Sequence, residues 1–173
     1  GGDRGIRVGF VSEYLSGHTI GKLYQGVLRH LDRRRFAITL IHTPNSSHDD
    51  FRDQLDALAD RSIILPKGIG AQQQAVSELE LDVLFYPDIG MTASTFFLAY
   101  ARLAPVQAVA WGHPDTTGLD TMDYFVSSVA LEPPAADQYY SERLVGLTRI
   151  PCCYEPPRAP ENIPPRSSWG LPA

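Results

Sequence analysis

Long hydrophobic runs are missing from this chain of 173 residues. No apolar stretch approaches the roughly 20 residues that cross a bilayer, so no membrane-spanning helix is expected. The first residues, Gly1-Gly2-Asp3-Arg4-Gly5, lack the apolar centre of a signal peptide. Cysteine is scarce. The neighbours Cys152 and Cys153 are the only two, which excludes a disulfide framework and points to a reducing, cytoplasmic compartment. They would need two further ligands to hold zinc, and His42 and His48 have no partners at zinc-like spacing, so no metal is expected. Positive charge is not in excess: 15 bases face 20 acids, for a net charge of -5. That balance disfavours a nucleic-acid partner. The charge is uneven, with 7 bases and 3 acids in residues 1–42, so the N-terminal part suits an anionic ligand. A dinucleotide fingerprint is also absent, since no G-x-G-x-x-G follows the first strand-like run.

What is present is a folded domain's composition, 43% hydrophobic and 20% charged. Strand-like and helix-like segments alternate over the first 150 residues. Strands are expected at Ile6–Val11, Phe36–Ile41, Ile63–Leu65, Val83–Tyr86, Val106–Trp111 and Tyr124–Ser127. Between them, Ile20, Leu23, Val27, Leu28 and Leu31 recur at helical spacing, as do Phe51, Leu55, Leu58 and Ala59. Further helices are expected over Ala71–Leu79 and Thr92–Leu103, the latter stopped by Pro105, with a short helical turn over Asp137–Glu142. Continuous apolar strands separated by helices predict a doubly wound, Rossmann-like α/β domain with a parallel sheet covered on both faces. Residues 151–173 differ: they hold seven of the 14 prolines and read as an extended linker toward another lobe.

Doubly wound sheets bind ligands beyond the carboxyl ends of their strands. Three loops fall there. The first, Ser12 to Thr19, carries a flexible Gly17 and places His18 at a helix N-terminus, where it could be a general base, a donor to a phosphate or sugar hydroxyl, or simply the helix cap. The second, Pro87 to Thr92, places Asp88 just past a strand end, either to reach a ligand or to shape a turn with Gly90. The third, Gly112 to Asp120, is the densest, with His113, Pro114, Asp115, Thr116 and Thr117 following a glycine that lets backbone approach a ligand. The sheet rule therefore places His18, Asp88 and His113 at one edge. Asn45-Ser46-Ser47 matches a glycosylation triplet, but nothing points to secretion. Arg33-Arg34-Arg35 reads as a solvated helix end.

Together these segments resemble a known family. APVQAVAWGHPDTTG (104–118), MDYFVSS (122–128) and QYYSERLVGL (138–147) are similar to the O-GlcNAc transferase/SPINDLY family, whose members carry P-I-Q-x-x-W-x-G-[YH]-P-G-T-[ST]-G, then D-Y and Y-x-E-x-L. GFVSEYLSGHTIGKL (9–23) resembles that family's G-[FY]-[VI]-S-x-[DE]-x-x-x-H segment, with His18 on its histidine. YPDIGMTAS (86–94) looks closest to the bacterial adhesin glucosyltransferases that modify asparagine. Asp115 departs from the eukaryotic pattern, which has glycine there.

The resemblance implies the N-terminal catalytic lobe (residues 1–150) of a two-lobed, GT-B, inverting glycosyltransferase. It implies a UDP-sugar donor, a protein Ser/Thr or Asn acceptor, no cofactor or catalytic metal, and a C-terminal lobe that supplies most nucleotide contacts. Carried over by motif, His18 is the catalytic candidate. The substrate-side candidates are Tyr14, Asp88, Met91, Gly112, His113, Pro114, Asp115, Thr116 and Thr117. The expected protein is bacterial and cytoplasmic, and this lobe alone is expected to be inactive. Two other classes stand beside this reading. One is a non-catalytic α/β binding or regulatory module; its receiver-like version is excluded because Ser12-Glu13 stands where an acidic pair would be needed and Pro66-Lys67-Gly68 where an aspartate would be. The other is one lobe of a sugar-nucleotide epimerase.

Overall fold

The computed structural model describes residues 5–156 and 161–172. The start of the chain, residues 1–4, and residues 157–160 and 173 of the proline-rich segment lie outside the described residues. Seven strands form one sheet: β1 (Ile6–Ser12), β2 (Phe36–His42), β3 (Arg61–Ile64), β4 (Val83–Tyr86), β5 (Val106–Ala110), β6 (Tyr124–Ser128) and β7 (Arg143–Leu147). Their order is β3-β2-β1-β4-β5-β6-β7, and each pairing is parallel. Four helices lie between them: α1 (Thr19–His30), α2 (Asp50–Asp56), α3 (Ile69–Ser77) and α4 (Ala93–Leu98).

Alternation along the strands explains why both faces are covered. Phe10 and Leu40 pack with Ile20, Tyr24 and Leu28 of α1 and Leu55 of α2. Their neighbours Val11 and Ile41 point the other way, into a second core with Val76 of α3 and Leu98 of α4. At about 25 cal/mol per Å² of apolar surface removed from water, these two layers are the main stabilising term. This is the doubly wound, Rossmann-like α/β architecture that the alternating pattern predicts. No helix among the described residues is long and apolar enough to cross a membrane.

Three segments differ from expectation. α4 ends at Leu98 rather than near Leu103, because buried Gln107 captures the backbone that would continue it. The Gln107 amide accepts from Leu103 N–H at 2.8 Å and donates to the carbonyls of Ala101 and Thr121 at 3.3 and 2.9 Å. The expected helical turn over 137–142 shrinks to a 3-10 turn at Ala136–Tyr139. It is followed by β7, which no periodicity marks: the strand is short, lies at the sheet edge and contains Gly146. Finally, the start of the proline-rich segment is docked. Cys153 N–H donates to the Leu23 carbonyl at 2.8 Å, Gly26 N–H donates to the Cys153 carbonyl at 2.7 Å, and Arg29 pairs with Glu155 at 2.8 Å.

Candidate active-site edge at the switch point

β1 has β2 on one side and β4 on the other, so chain connections leave it in opposite directions. This is the topological switch point, where loops beyond the carboxyl ends diverge and leave a crevice. The loops after β1, β4 and β5 meet there. Gly112 is the junction. A Cβ at this position would lie 2.1 Å from the Pro87 carbonyl oxygen and 2.9 Å from Ile20 Cδ1, so only glycine lets the β5 loop close on the β4 loop and the first turn of α1. Gly90, at φ 101°, does the same for His113: a Cβ there would lie 2.8 Å from His113 Nδ1.

His18 caps α1. Its Nδ1 accepts from Ile20 N–H at 3.2 Å, and its ring stacks on Tyr14 with centroids 4.3 Å apart. A ring nitrogen that accepts a hydrogen bond carries a lone pair, so the neutral imidazole bears its proton on Nε2. His18 therefore presents an N–H donor. Capping does not exclude ligand contact, the alternative from the sequence, because it uses Nδ1 alone.

Asp88 does not open onto the edge with His18 and His113. It is 0% exposed, turned inward to accept from Ser12 Oγ at 2.9 Å, while Ser12 Oγ itself accepts from Tyr14 N–H at 2.8 Å. The sequence of contacts ties the β4 loop to the residue stacked on His18. Burial pushes the Asp88 carboxyl from 3.8 up to about 7, against the Ser12 hydrogen bond and with help from the nearby charge of Glu13. Oδ1 is buried and has no hydrogen-bond partner among the described residues.

Thr116 and Thr117 are likewise occupied. Glu142, 4% exposed, accepts from Thr116 Oγ1 at 2.7 Å, from Thr117 N–H at 2.8 Å and from Thr117 Oγ1. Burial alone would raise the Glu142 carboxyl, but the hydrogen bonds from Thr117 and Thr116 hold it below the usual range. Glu142 directly precedes Arg143, which pairs with Tyr124 at the amino end of β6. The second half of the β5 loop is thus drawn away from the ligand edge. Pro114 and Asp115 remain exposed, Asp115 with its carboxylate 4.0 Å from His113 Nδ1. Met91 is half-buried against the α1-side core.

The sequence reading missed the loop after β2. Glu13 Oε2 accepts from Ser94 Oγ at 2.9 Å and Thr43 Oγ1 at 3.3 Å, joining the ends of β1 and β2 to the start of α4. Asp49 caps α2 through Arg52 N–H at 2.8 Å and also accepts from Gly17 N–H at 2.9 Å; these bonds hold its carboxyl below the usual range. The signal available was Asp49 ahead of the apolar Phe51 and Leu55, a capping pattern. No group of three or more potential metal ligands occurs among the described residues.

The architecture and the convergent loops define a Rossmann-like lobe with a polar ligand edge at its switch point. Comparison with known proteins places it further. The profile of glycosyl transferase family 41 matches residues 2–150, and the chain belongs to that family. It is 28% identical over 176 residues to a tomato (Solanum lycopersicum) protein described as a probable UDP-N-acetylglucosamine–peptide N-acetylglucosaminyltransferase SPINDLY, covering 94% of this chain and 18% of that protein. It is 37% identical over 92 residues to the UDP-glucose:protein N-beta-glucosyltransferase of Actinobacillus pleuropneumoniae, covering 52% of this chain and 14% of that enzyme. Among solved structures, a mutant of the Thermobaculum terrenum O-GlcNAc transferase superposes with a TM-score of 0.79 at 30% identity, over 90% of this chain and 30% of that one. The chain thus spans less than a third of each of these relatives.

Proposed function

We propose that this chain is the acceptor-side lobe of an inverting protein glycosyltransferase that uses a UDP-sugar. The observation that carries the reading is the convergence of three family-motif loops around Gly112 at the switch point, in a chain matched to family 41 over residues 2–150. In the reaction, an acceptor oxygen or nitrogen attacks the anomeric carbon, the bond to the UDP diphosphate breaks with its electron pair on the departing diphosphate oxygen, and the acceptor proton passes to that diphosphate or to water. The lobe's part is to hold acceptor and sugar in line, which can supply much of the rate by itself. His18 serves as an orienting donor through Nε2–H; the Ile20 N–H on Nδ1 disfavours a general-base role, since protonation there would break the cap. The diphosphate is stabilised from a C-terminal lobe, and no metal takes part.

The test is transfer by the protein at its native length, with UDP-glucose and UDP-N-acetylglucosamine offered separately against a polypeptide acceptor. Sugar-sized mass increments on Ser, Thr or Asn support the reading, and they also decide donor and acceptor type. Interconversion of the free UDP-sugar without any acceptor would instead favour an epimerase.

A further inference from the structure

Between the segments that return from β5 and from β6 lies a cavity of about 280 Å³, lined by Trp111, Pro114, Ser127, Leu131, Glu132 and Tyr140. It lies at the carboxyl ends of β5 and β6, because Trp111 follows β5, Ser127 is the penultimate residue of β6, and Leu131 and Glu132 come just after it. Its walls are apolar and aromatic, and its one charge is the Glu132 carboxylate. Ser127 Oγ and Tyr140 O–H donate to Glu132 Oε1 at 2.5 and 3.0 Å. Oε2 has no hydrogen-bond partner among the described residues and is not sealed from solvent.

The walls of the site are tied to the fold. The N–H groups of Leu131 and Glu132 both donate to the Ser128 carbonyl, at 2.9 and 3.2 Å, and Pro133 and Pro134 follow at once. Tyr140 is held by Phe125, with ring centroids 4.6 Å apart. A pre-set pocket binds with less ordering cost. Its charge is uncompensated by its surroundings. None of the lining residues is basic; Arg143 lies at the amino end of β7, paired with Tyr124, and Arg102 is spent on Asp123 at 2.5 Å. The exposed Asp115 and Asp137 add negative charge on the flanking segments. His113, next to Pro114, packs instead over Gly90.

Size and chemistry select the occupant. The volume is at the bottom of the roughly 300–1,000 Å³ range of small-molecule sites and small for a nucleotide sugar. It suits one long side chain whose stem lies along aromatic and proline walls while its cation meets a carboxylate. We propose that this cavity is an acceptor subsite that receives an arginine or lysine side chain at a fixed distance from the residue to be glycosylated. The proposal rests on the transferase reading and names part of its acceptor specificity.

The experiment has two arms on the protein at its native length. The first compares kcat/KM for synthetic acceptor peptides that carry a single arginine at successive offsets from the acceptor residue, or alanine there. One offset is expected to be favoured about tenfold, the scale of a hydrogen bond to a charged group, and Glu132→Gln is expected to reduce that preference to within about twofold. Glutamine keeps an acceptor oxygen for Ser127 and Tyr140, and a thermal melt checks folding. The second arm reads tryptophan emission of that protein during titration with the arginine peptide and its alanine counterpart, with Trp111→Phe as the control that assigns a change to the cavity. A change with arginine alone, lost in Glu132→Gln, is the expected result. No favoured offset in the wild-type protein, or a preference that survives in folded Glu132→Gln, overturns the subsite. Arginine-dependent emission without transfer to any peptide would uphold the pocket and overturn the transferase reading.

Discussion

Replacing Asp88 by asparagine tests the interior of the switch point. The carboxyl is fully buried and, by burial first and the Glu13 charge besides, is pushed from 3.8 to about 7. The sign follows from linkage. Between those two values the folded protein holds a proton that the unfolded chain has lost, so stability is fully present below about pH 4 and falls as pH rises through about 7. At ~1.4 kcal/mol per tenfold change in proton affinity, the whole gap is on the order of 4 kcal/mol. Water entry on ionisation reduces this, leaving about 2–4 kcal/mol. Asparagine is neutral at all pH values and keeps an acceptor for Ser12, whose 2.9 Å bond holds the loop. Urea denaturation of both proteins from pH 4 to 8 reads the difference, which also cancels the other titrating groups. Asp88→Asn is expected to gain about 2–4 kcal/mol on wild type across that range, with most of the change between pH 5 and 7. Parallel stability curves would refute the buried, proton-holding carboxyl.

Three further outcomes are expected. His18→Asn retains a helix cap and should melt within about 1 kcal/mol of wild type, while steady-state transfer by the native-length protein falls at least tenfold; a loss recovered at high acceptor concentration marks orientation rather than chemistry, and unchanged turnover returns His18 to capping alone. Glu142→Ala strands the Thr117 N–H and the hydroxyls of Thr116 and Thr117 and should cost about 2–4 kcal/mol, with faster amide exchange at Thr117 and Gly118; exchange at the wild-type rate would refute the clamp. The 173-residue chain alone should bind UDP with Kd weaker than about 100 μM, since half a cleft loses contacts and water exclusion, and calorimetry showing sub-micromolar binding would contradict the two-lobed reading.

The sequence by itself determined the layers and the loops. Apolar runs of strand length separated by helical stripes admit a parallel, two-sided sheet because side chains apolar on both sides of a strand need cover on both faces, which the crossover helices supply. Gly112 and the residues around it were legible for the same local reason, a glycine and proline between a strand and its return. Tertiary structure decided the rest. Strand order, and with it the switch point between β1 and β4, depends on long-range pairing that leaves no local period. Asp88 has a turn residue's sequence context, yet the Ser12 contact 76 positions away turns it inward. Thr116 and Thr117 look like free hydroxyls until Glu142, 26 and 25 positions later, takes them. Glu132 gave no signal at all, because a pocket is a property of two returning segments side by side. Local periodicity reports which face a residue shows, while its partner across the fold decides what that face meets.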